Sequence, residues 1–465
     1  MPRNGTQSAS TSASVEHEVR RRASTAPPIL LVPMASRDFR RRTVTAAALY
    51  GGTAAGILGT LIAVRVLGPD QFGVFTIALA AAGFVQLLLD TTVEEAVVKY
   101  GIRYAATDDW GRLRGLFRAG IAIKWGGGAL ATLVILALVP FADALFDEPG
   151  LTAPLIVAAF IPLVQAPEGI AGASMIVVGR YDLRAIFGGL AMILRLVGVA
   201  VGVQYGITWA VVGILVGQAV GSCASGYAGH RLFSRHPAAA ATGLRRDRAE
   251  LARFVFKSGV GTSLVSMRNS LAPLVLGVVA SATQVGYFRA AQAPITGLEA
   301  LSAPVRLILL TEQTHDVERG RIVETYRSLR RYVIGATAVA LVLAPVAWVL
   351  MPWLVRVVLG TDYIPATDAA RILLLAACLR LVLGWTKSFP VSIGKPGLRI
   401  VAHAVEIVVL LPLIVVLGSR WGATGAAAAV LVATVAFAGA WVVLLVRLRR
   451  EHRGAQLTDA EMLAP

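Results

Sequence analysis

Twelve long apolar stretches between Thr43 and Val446, separated by short polar gaps, constrain this chain more than any other feature. Inside hydrocarbon every backbone N–H and C=O must find a partner within the protein, so such stretches are membrane-crossing helices or strands of a closed barrel. Barrel strands read as segments of about ten residues with alternating hydrophobicity, and none is present. Only 15% of the 465 residues are charged, against about a quarter in a soluble domain. The apolar runs predict helices at 43–65, 72–93, 116–140, 151–177, 183–204, 208–229, 255–280, 284–309, 332–357, 365–390, 397–418 and 422–446. Each is long enough to cross about 30 Å of hydrocarbon at about 1.5 Å per residue. The expected fold class is therefore an all-α polytopic membrane protein of about twelve transmembrane helices.

The gaps test that count independently. Those after helices 2, 4, 6, 8 and 10 carry the basic residues, among them Arg112, Arg180, Arg248, Arg327 and Arg399. The opposite gaps are short and hold acids such as Asp70, Asp147, Glu148 and Asp362, with Arg65 and Arg420 as exceptions. Basic loops stay in the cytoplasm, so both termini are expected there. The formal net charge of +17 then reflects loop charge and not a nucleic-acid partner. The expected organisation is a disordered tail at 1–42, a six-helix unit at 43–230, a basic linker at 231–254, a second six-helix unit at 255–446 and a tail at 447–465. No cleavable signal is read at the start, since no small-residue cleavage site follows a short apolar region. Cys223 and Cys378 both fall inside apolar helices, far apart in sequence, as buried thiols do. Composition rich in Arg, Ala, Gly and Val suggests a high-GC bacterial genome.

An internal repeat is visible. Gln71-Phe72-Gly73-Val74-Phe75-Thr76-Ile77-Ala78 and Gln284-Val285-Gly286-Tyr287-Phe288-Arg289-Ala290-Ala291 share Gln, Gly, Phe and Ala at the same spacing. Leu67-Gly68 and Leu276-Gly277 precede them. Both segments enter the second helix of a half, so the halves read as a parallel repeat about an axis along the membrane normal.

The run Val66-Leu67-Gly68-Pro69-Asp70-Gln71-Phe72-Gly73-Val74-Phe75 resembles the opening signature of Wzx-like polysaccharide transporters, within the multidrug/oligosaccharidyl-lipid/polysaccharide exporter superfamily. Gln284 to Ala291 resembles a second signature of that family, and Val358-Leu359-Gly360-Thr361-Asp362-Tyr363 a third. The resemblance covers Arg40 to Arg450. It implies two six-helix bundles around a central cavity in the bacterial inner membrane. It also implies a flippase that moves a polyprenyl-pyrophosphate-linked oligosaccharide outward by alternating access, beside membrane lipid, with a polysaccharide polymerase or glycosyltransferases as partners. A multidrug exporter of the same superfamily is the alternative. Two departures stand out: Met267-Arg268-Asn269-Ser270 lacks the carboxylate many relatives carry there, and the N-terminal tail is not a family feature.

Charges deep in a membrane cost roughly 2.5–3.5 kcal/mol each on insertion scales and mark cavities or pairs. The deep cations are Arg268, Arg195, Arg380 and Lys124, expected to line a cavity for the pyrophosphate. Arg grips phosphate oxygens bidentately and Lys acts as a point charge; for Lys124, snorkelling to an interface is the competing expectation. Glu299, Glu406 and Asp90 are candidates for ion coupling, with interfacial solvation the simpler reading for Asp90, Glu94 and Glu95. No P-loop, HExxH, paired-Cys motif or nucleophile elbow occurs. The outer gaps are too short to carry an active site, so no enzyme activity, cofactor or metal is expected.

Overall fold

The computed structural model describes residues 36–89, 93–234, 241, 243–244, 247–319, 321–395 and 397–462. Side chains at 256–269 lie outside that description. The described residues are helical, with no strand. α1 (Ser36–Leu89), α2 (Val93–Ala106), α3 (Trp110–Phe146), α4 (Thr152–Ala158), α5 (Ile161–Val177), α6 (Tyr181–Gly202) and α7 (Ile207–Phe233) form the first half. α8 (Arg248–Val279), α9 (Ala282–Ala291), α10 (Ala293–Glu318), α11 (Ile322–Leu354), α12 (Thr367–Val382), α13 (Phe389–Ser392), α14 (Gly397–Leu413) and α15 (Ser419–Met462) form the second.

Eight described helices are long and apolar enough to cross a membrane. Two of these spans bend sharply, Thr43–Leu89 within α1 at Gly68 and Gly397–Glu451 at Gly422 where α14 passes into α15, so each supplies two crossings. α8 and the α9–α10 pair complete the twelve. Gly68 has φ 71° and ψ 172°, a conformation closed to most residues with a Cβ. Pro69 follows, with φ already set for a new first turn. The Leu-Gly pair of the second copy does different work: Gly277 packs on Ile77 and Phe146 inside α8, and the corner falls at Ala280–Ser281. Three expected helices are interrupted. The fourth breaks between Ala158 and Ile161, the eighth between Ala291 and Ala293, and the tenth gives way to a 3₁₀ stretch at Leu383–Lys387. Apolar runs read continuous across such breaks because lipid-facing composition does not change there. α3, by contrast, runs straight through Gly126 to Gly128, and Gly128 lies against the backbone of Pro162 and Leu163.

Burial follows position in the bilayer. The helix containing α11 is only 6% buried over its most apolar window, with Leu341, Val342 and Val349 pointing outward. The one containing α12 is 61% buried. Lipid offers no hydrophobic drive between helices, so close packing of small residues must hold them.

The two repeat segments meet each other. Asp70 Oδ1 accepts a hydrogen bond from Thr283 Oγ1 at 3.0 Å, across 213 residues. A methyl group on Gly73 would strike the Ala282 carbonyl, and one on Gly286 would strike the Pro69 carbonyl, two contacts exchanged by the offset that relates the copies. Contacts that are reciprocal in this way are what a two-fold relation requires. They sit at the end of the bundle that carries the acidic gaps. There Arg65 Nε also donates to the Val358 carbonyl at 2.9 Å, and its guanidinium reaches the Val357 carbonyl. Glu148 Oε1 accepts from the Ala282 N–H at 2.9 Å. At the basic end, Tyr104 donates to Asp247 at 2.6 Å and Tyr100 to Glu250 at 3.0 Å, tying the start of α8 to α2.

Candidate functional site

A cavity of about 880 Å3 lies between the first half and the broken α9–α10 pair. It runs from Thr45, Ile176 and Tyr181 near the basic end to Val64 and Leu359 near the acidic end. Most of its wall is apolar or glycine, so the few polar groups define its chemistry.

Three cations reach it: Lys124 from α3, Arg184 from α6 and Arg289 from α9. Lys124 is 9% exposed and its Nζ sits 3.0 Å from Glu94 Oε1. Glu94 therefore belongs to the cavity wall and not to the headgroup layer, and Lys124 reaches a carboxylate of that wall instead of snorkelling. Arg289 donates to Gln292 Oε1 at 2.8 Å, one residue before α10 begins. It lies among the cavity's lining and yet keeps accessible surface, because it points into the open space. Among the described residues, neither Arg184 nor Arg289 has a carboxylate at ion-pair distance. Glu168 is the second acid of the wall, and it accepts from Gln218 Nε2 at 2.6 Å. In the cavity wall Gln86 Nε2 donates to Gln165 Oε1 at 3.2 Å. The result is a chamber with an excess of guanidinium charge, neutral amides and hydroxyls, and apolar walls. Guanidiniums of this kind pair with anionic oxygens, and amides and hydroxyls with polar neutral groups.

The expected cations fall in different places. Lys124 lines the cavity. Arg195 is partly buried on α6 outside the lining, 4.0 Å from the sulfur of Met192, and its Nε has no hydrogen-bond partner among the described residues. Arg268 lies on α8, and its side chain is outside the description. Arg380 is well away from the cavity, within the second half. It pairs with Glu406 at 2.5 Å and donates to Thr434 at 3.3 Å. Glu406 also meets His403 Nδ1 at 3.0 Å. Glu299 shares a small pocket of about 40 Å3 with these residues and lies 3.9 Å from Lys387. Asp90 is outside the described residues.

Sequence reasoning passed over Arg289 and Arg184 as site residues. The signal for Arg289 was present: in two matching segments, it stands where the first copy has Thr76. A change of that size in an otherwise shared motif, just ahead of Pro294, marks a position released from packing. Arg184 sat among loop charges, and nothing local distinguishes it.

Known proteins place this architecture. A family model described as polysaccharide biosynthesis protein matches residues 42–305. An inward-facing multidrug resistance MATE family transporter of the MOP superfamily aligns with 91% of this chain and 97% of its own, at 16% identity and TM-score 0.65. The lipid II flippase MurJ, in an inward closed conformation, aligns over 87% of each chain, at 11% identity and TM-score 0.67. An outward-facing MATE family transporter covers 89% of this chain and 96% of its own, at 14% identity and a lower TM-score of 0.56. At these identities the likeness is one of fold: twelve helices in two bundles, in transporters and a flippase, not enzymes. No curated protein matches in sequence.

Proposed function

We propose, for a chain that belongs to the polysaccharide biosynthesis protein family, the activity of a flippase for a polyprenyl-pyrophosphate-linked oligosaccharide. The observation that carries this is the pair Arg184 and Arg289, cavity guanidiniums without a carboxylate partner among the described residues. Two such groups match a pyrophosphate, while Gln86, Gln165 and Thr53 offer hydrogen bonds to sugar. In this reading the basic end faces the cytoplasm of a bacterium and the protein sits in its plasma membrane. The lipid-linked sugar enters at the basic end. Breaking the ties of Arg65, Asp70 and Glu148 at the acidic end would release it outward. Residues 43–230 and 255–446 act as the two moving units, and 231–254 joins them. Arg195 and Arg268 belong to the same proposal as further cations on the route. A polymerase and glycosyltransferases would act on either side of the step.

A second reading, export of cationic compounds, draws on Glu168, a cavity carboxylate with no cation at ion-pair distance among the described residues. One experiment separates the two. Proteoliposomes carrying a fluorescent polyprenyl-pyrophosphate oligosaccharide should show protein-dependent transfer, lost in Arg289→Ala and Arg184→Ala at unchanged membrane levels. Transfer that survives both substitutions, or is absent from folded wild type while a cationic dye is moved, rejects the flippase.

A further inference from the structure

The second half holds a polar cluster that the substrate cavity does not use. Glu406 on α14 has a side chain 2% exposed. One of its oxygens takes Arg380 of α12 and the other faces His403, one turn earlier on α14. An ionised carboxylate only accepts hydrogen bonds, so Nδ1 of His403 must carry the hydrogen in that contact. That leaves Nε2 as the basic nitrogen. Phe437 of α15 stacks on the imidazole, with ring centroids 4.9 Å apart and planes at 33°.

The other charged neighbours are few. Arg380 opposes a second positive charge. Lys387, from the 3₁₀ stretch, and Glu299, from α10, stand at the mouth of the pocket of about 40 Å3 that reaches the cluster. α15 contributes Thr434 and Phe437, which carry no charge. α8 also packs on α14 and carries Lys257 and Arg268 in the stretch whose side chains are outside the description. The pocket exceeds the roughly 10–15 Å3 that one water needs. Lys387 and Glu299 are partly exposed, and Lys387 lies at the basic end, so water there reaches the cluster from that side. A metal ion fits poorly: Arg380 and His403 already occupy the two carboxylate oxygens, and the described residues hold no group of three metal-binding side chains.

We infer that His403, set by Glu406 and Arg380, is a proton-binding site of the second half that is coupled to the substrate cavity through α10. The link is geometric. Thr296 and Gly297 of α10 line the large cavity, and the next residues, Leu298 and Glu299, line the small pocket. One helix is thus a wall of both. Protonation of Nε2 adds one positive charge to the Arg380–Glu406–His403 set. In a desolvated site that extra charge favours a conformation that rearranges Lys387, Glu299 and hence α10. The proton is taken from the basic side in the conformation described here and released after the halves rearrange. Coupling to transport rests on the flippase reading; the proton site itself does not.

The cluster has its own reporter, since Phe437 touches Trp441, and Trp441 meets Trp385 edge to face. Tryptophan fluorescence of the full chain in nanodiscs, without substrate, should show a step between about pH 5 and 8, the range in which imidazole titrates. The step should vanish in His403→Gln and be altered in Glu406→Gln, which removes the charge facing Nδ1. Absence of any such step in wild type overturns the inference without recourse to a variant, and so does a step unchanged in folded His403→Gln. The second arm uses proteoliposomes with the fluorescent polyprenyl-pyrophosphate oligosaccharide. A one-unit pH gradient should shift its distribution by up to about tenfold for one proton per cycle in wild type, and not at all in His403→Gln. A full gradient response in His403→Gln overturns the coupling. If wild type moves no lipid-linked sugar while the fluorescence step obeys the variants, the flippase reading fails and the proton site stands.

Discussion

The first half leaves a cavity of about 880 Å3 against the α9–α10 break, whereas the second half closes around a pocket of about 40 Å3. Both halves begin with a helix, a corner and the Gln-x-Gly-x-Phe segment, and these segments touch reciprocally at Gly73 and Gly286. What differs is the polar content. Thr76 of the first copy is buried in the core, while Arg289 at the matching place opens into the cavity. Lys124 and Glu94 pair at the edge of open space; Arg380 and Glu406 pair with side chains only 14% and 2% exposed, beside a far smaller pocket. The packing positions were kept in both copies, and the ionisable groups were free to take separate roles.

The contrast in burial makes the largest prediction. Glu406→Ala strands a buried guanidinium and should cost about 3–5 kcal/mol, read as a lowered unfolding midpoint in detergent. Glu94→Ala removes a carboxylate whose side chain is 36% exposed and should cost less than about 1 kcal/mol. Equal losses would erase the distinction between the halves. Next come the glycines. Gly73→Ala and Gly286→Ala each force a methyl onto a carbonyl and should each cost about 1–3 kcal/mol, by equal amounts within error. A loss in only one would break the reciprocity. Arg289→Thr restores the first copy's residue to the second. It should lower transfer of the lipid-linked sugar ten- to hundredfold, as loss of a charge-assisted contact does, with the protein still present in the membrane.

The smallest effect concerns the basic end. Tyr104 is held above its ordinary pKa of 10.0, first by burial and then by its hydrogen bond to Asp247. A raised phenol pKa means that the unfolded chain ionises before the folded one. Its stabilisation is therefore complete below about pH 10 and falls as pH rises beyond it. Tyr104→Phe should cost about 1 kcal/mol at pH 8 and should lose less than wild type on going to pH 11, as followed by the unfolding midpoint at the two pH values.

Helix number and order were legible because a bilayer demands long apolar runs, and Gly68-Pro69 announced its own corner. The breaks ahead of Ile161 and Ala293 were not, since a broken helix facing protein keeps the same apolar composition as a straight one. Lys124 stood out as a charge within an apolar stretch. Its partner Glu94 looked like headgroup chemistry, because single-sequence hydropathy cannot tell a wet cavity from an interface. Arg380 and Glu406 were each visible, but nothing local joins residues on different helices. Their pairing moved Arg380 from the expected cavity cations to a site of its own, beside a histidine whose significance depends on that neighbour.

Where the halves cross, each glycine's missing side chain is filled by the other copy's backbone carbonyl. The crossing thus has no rotamers to reshuffle when the halves turn against one another, and no residue that could be enlarged by degrees. Neither copy can drift there alone, so this spot, where no side chain of its own makes the contact, ties the history of one half to that of the other.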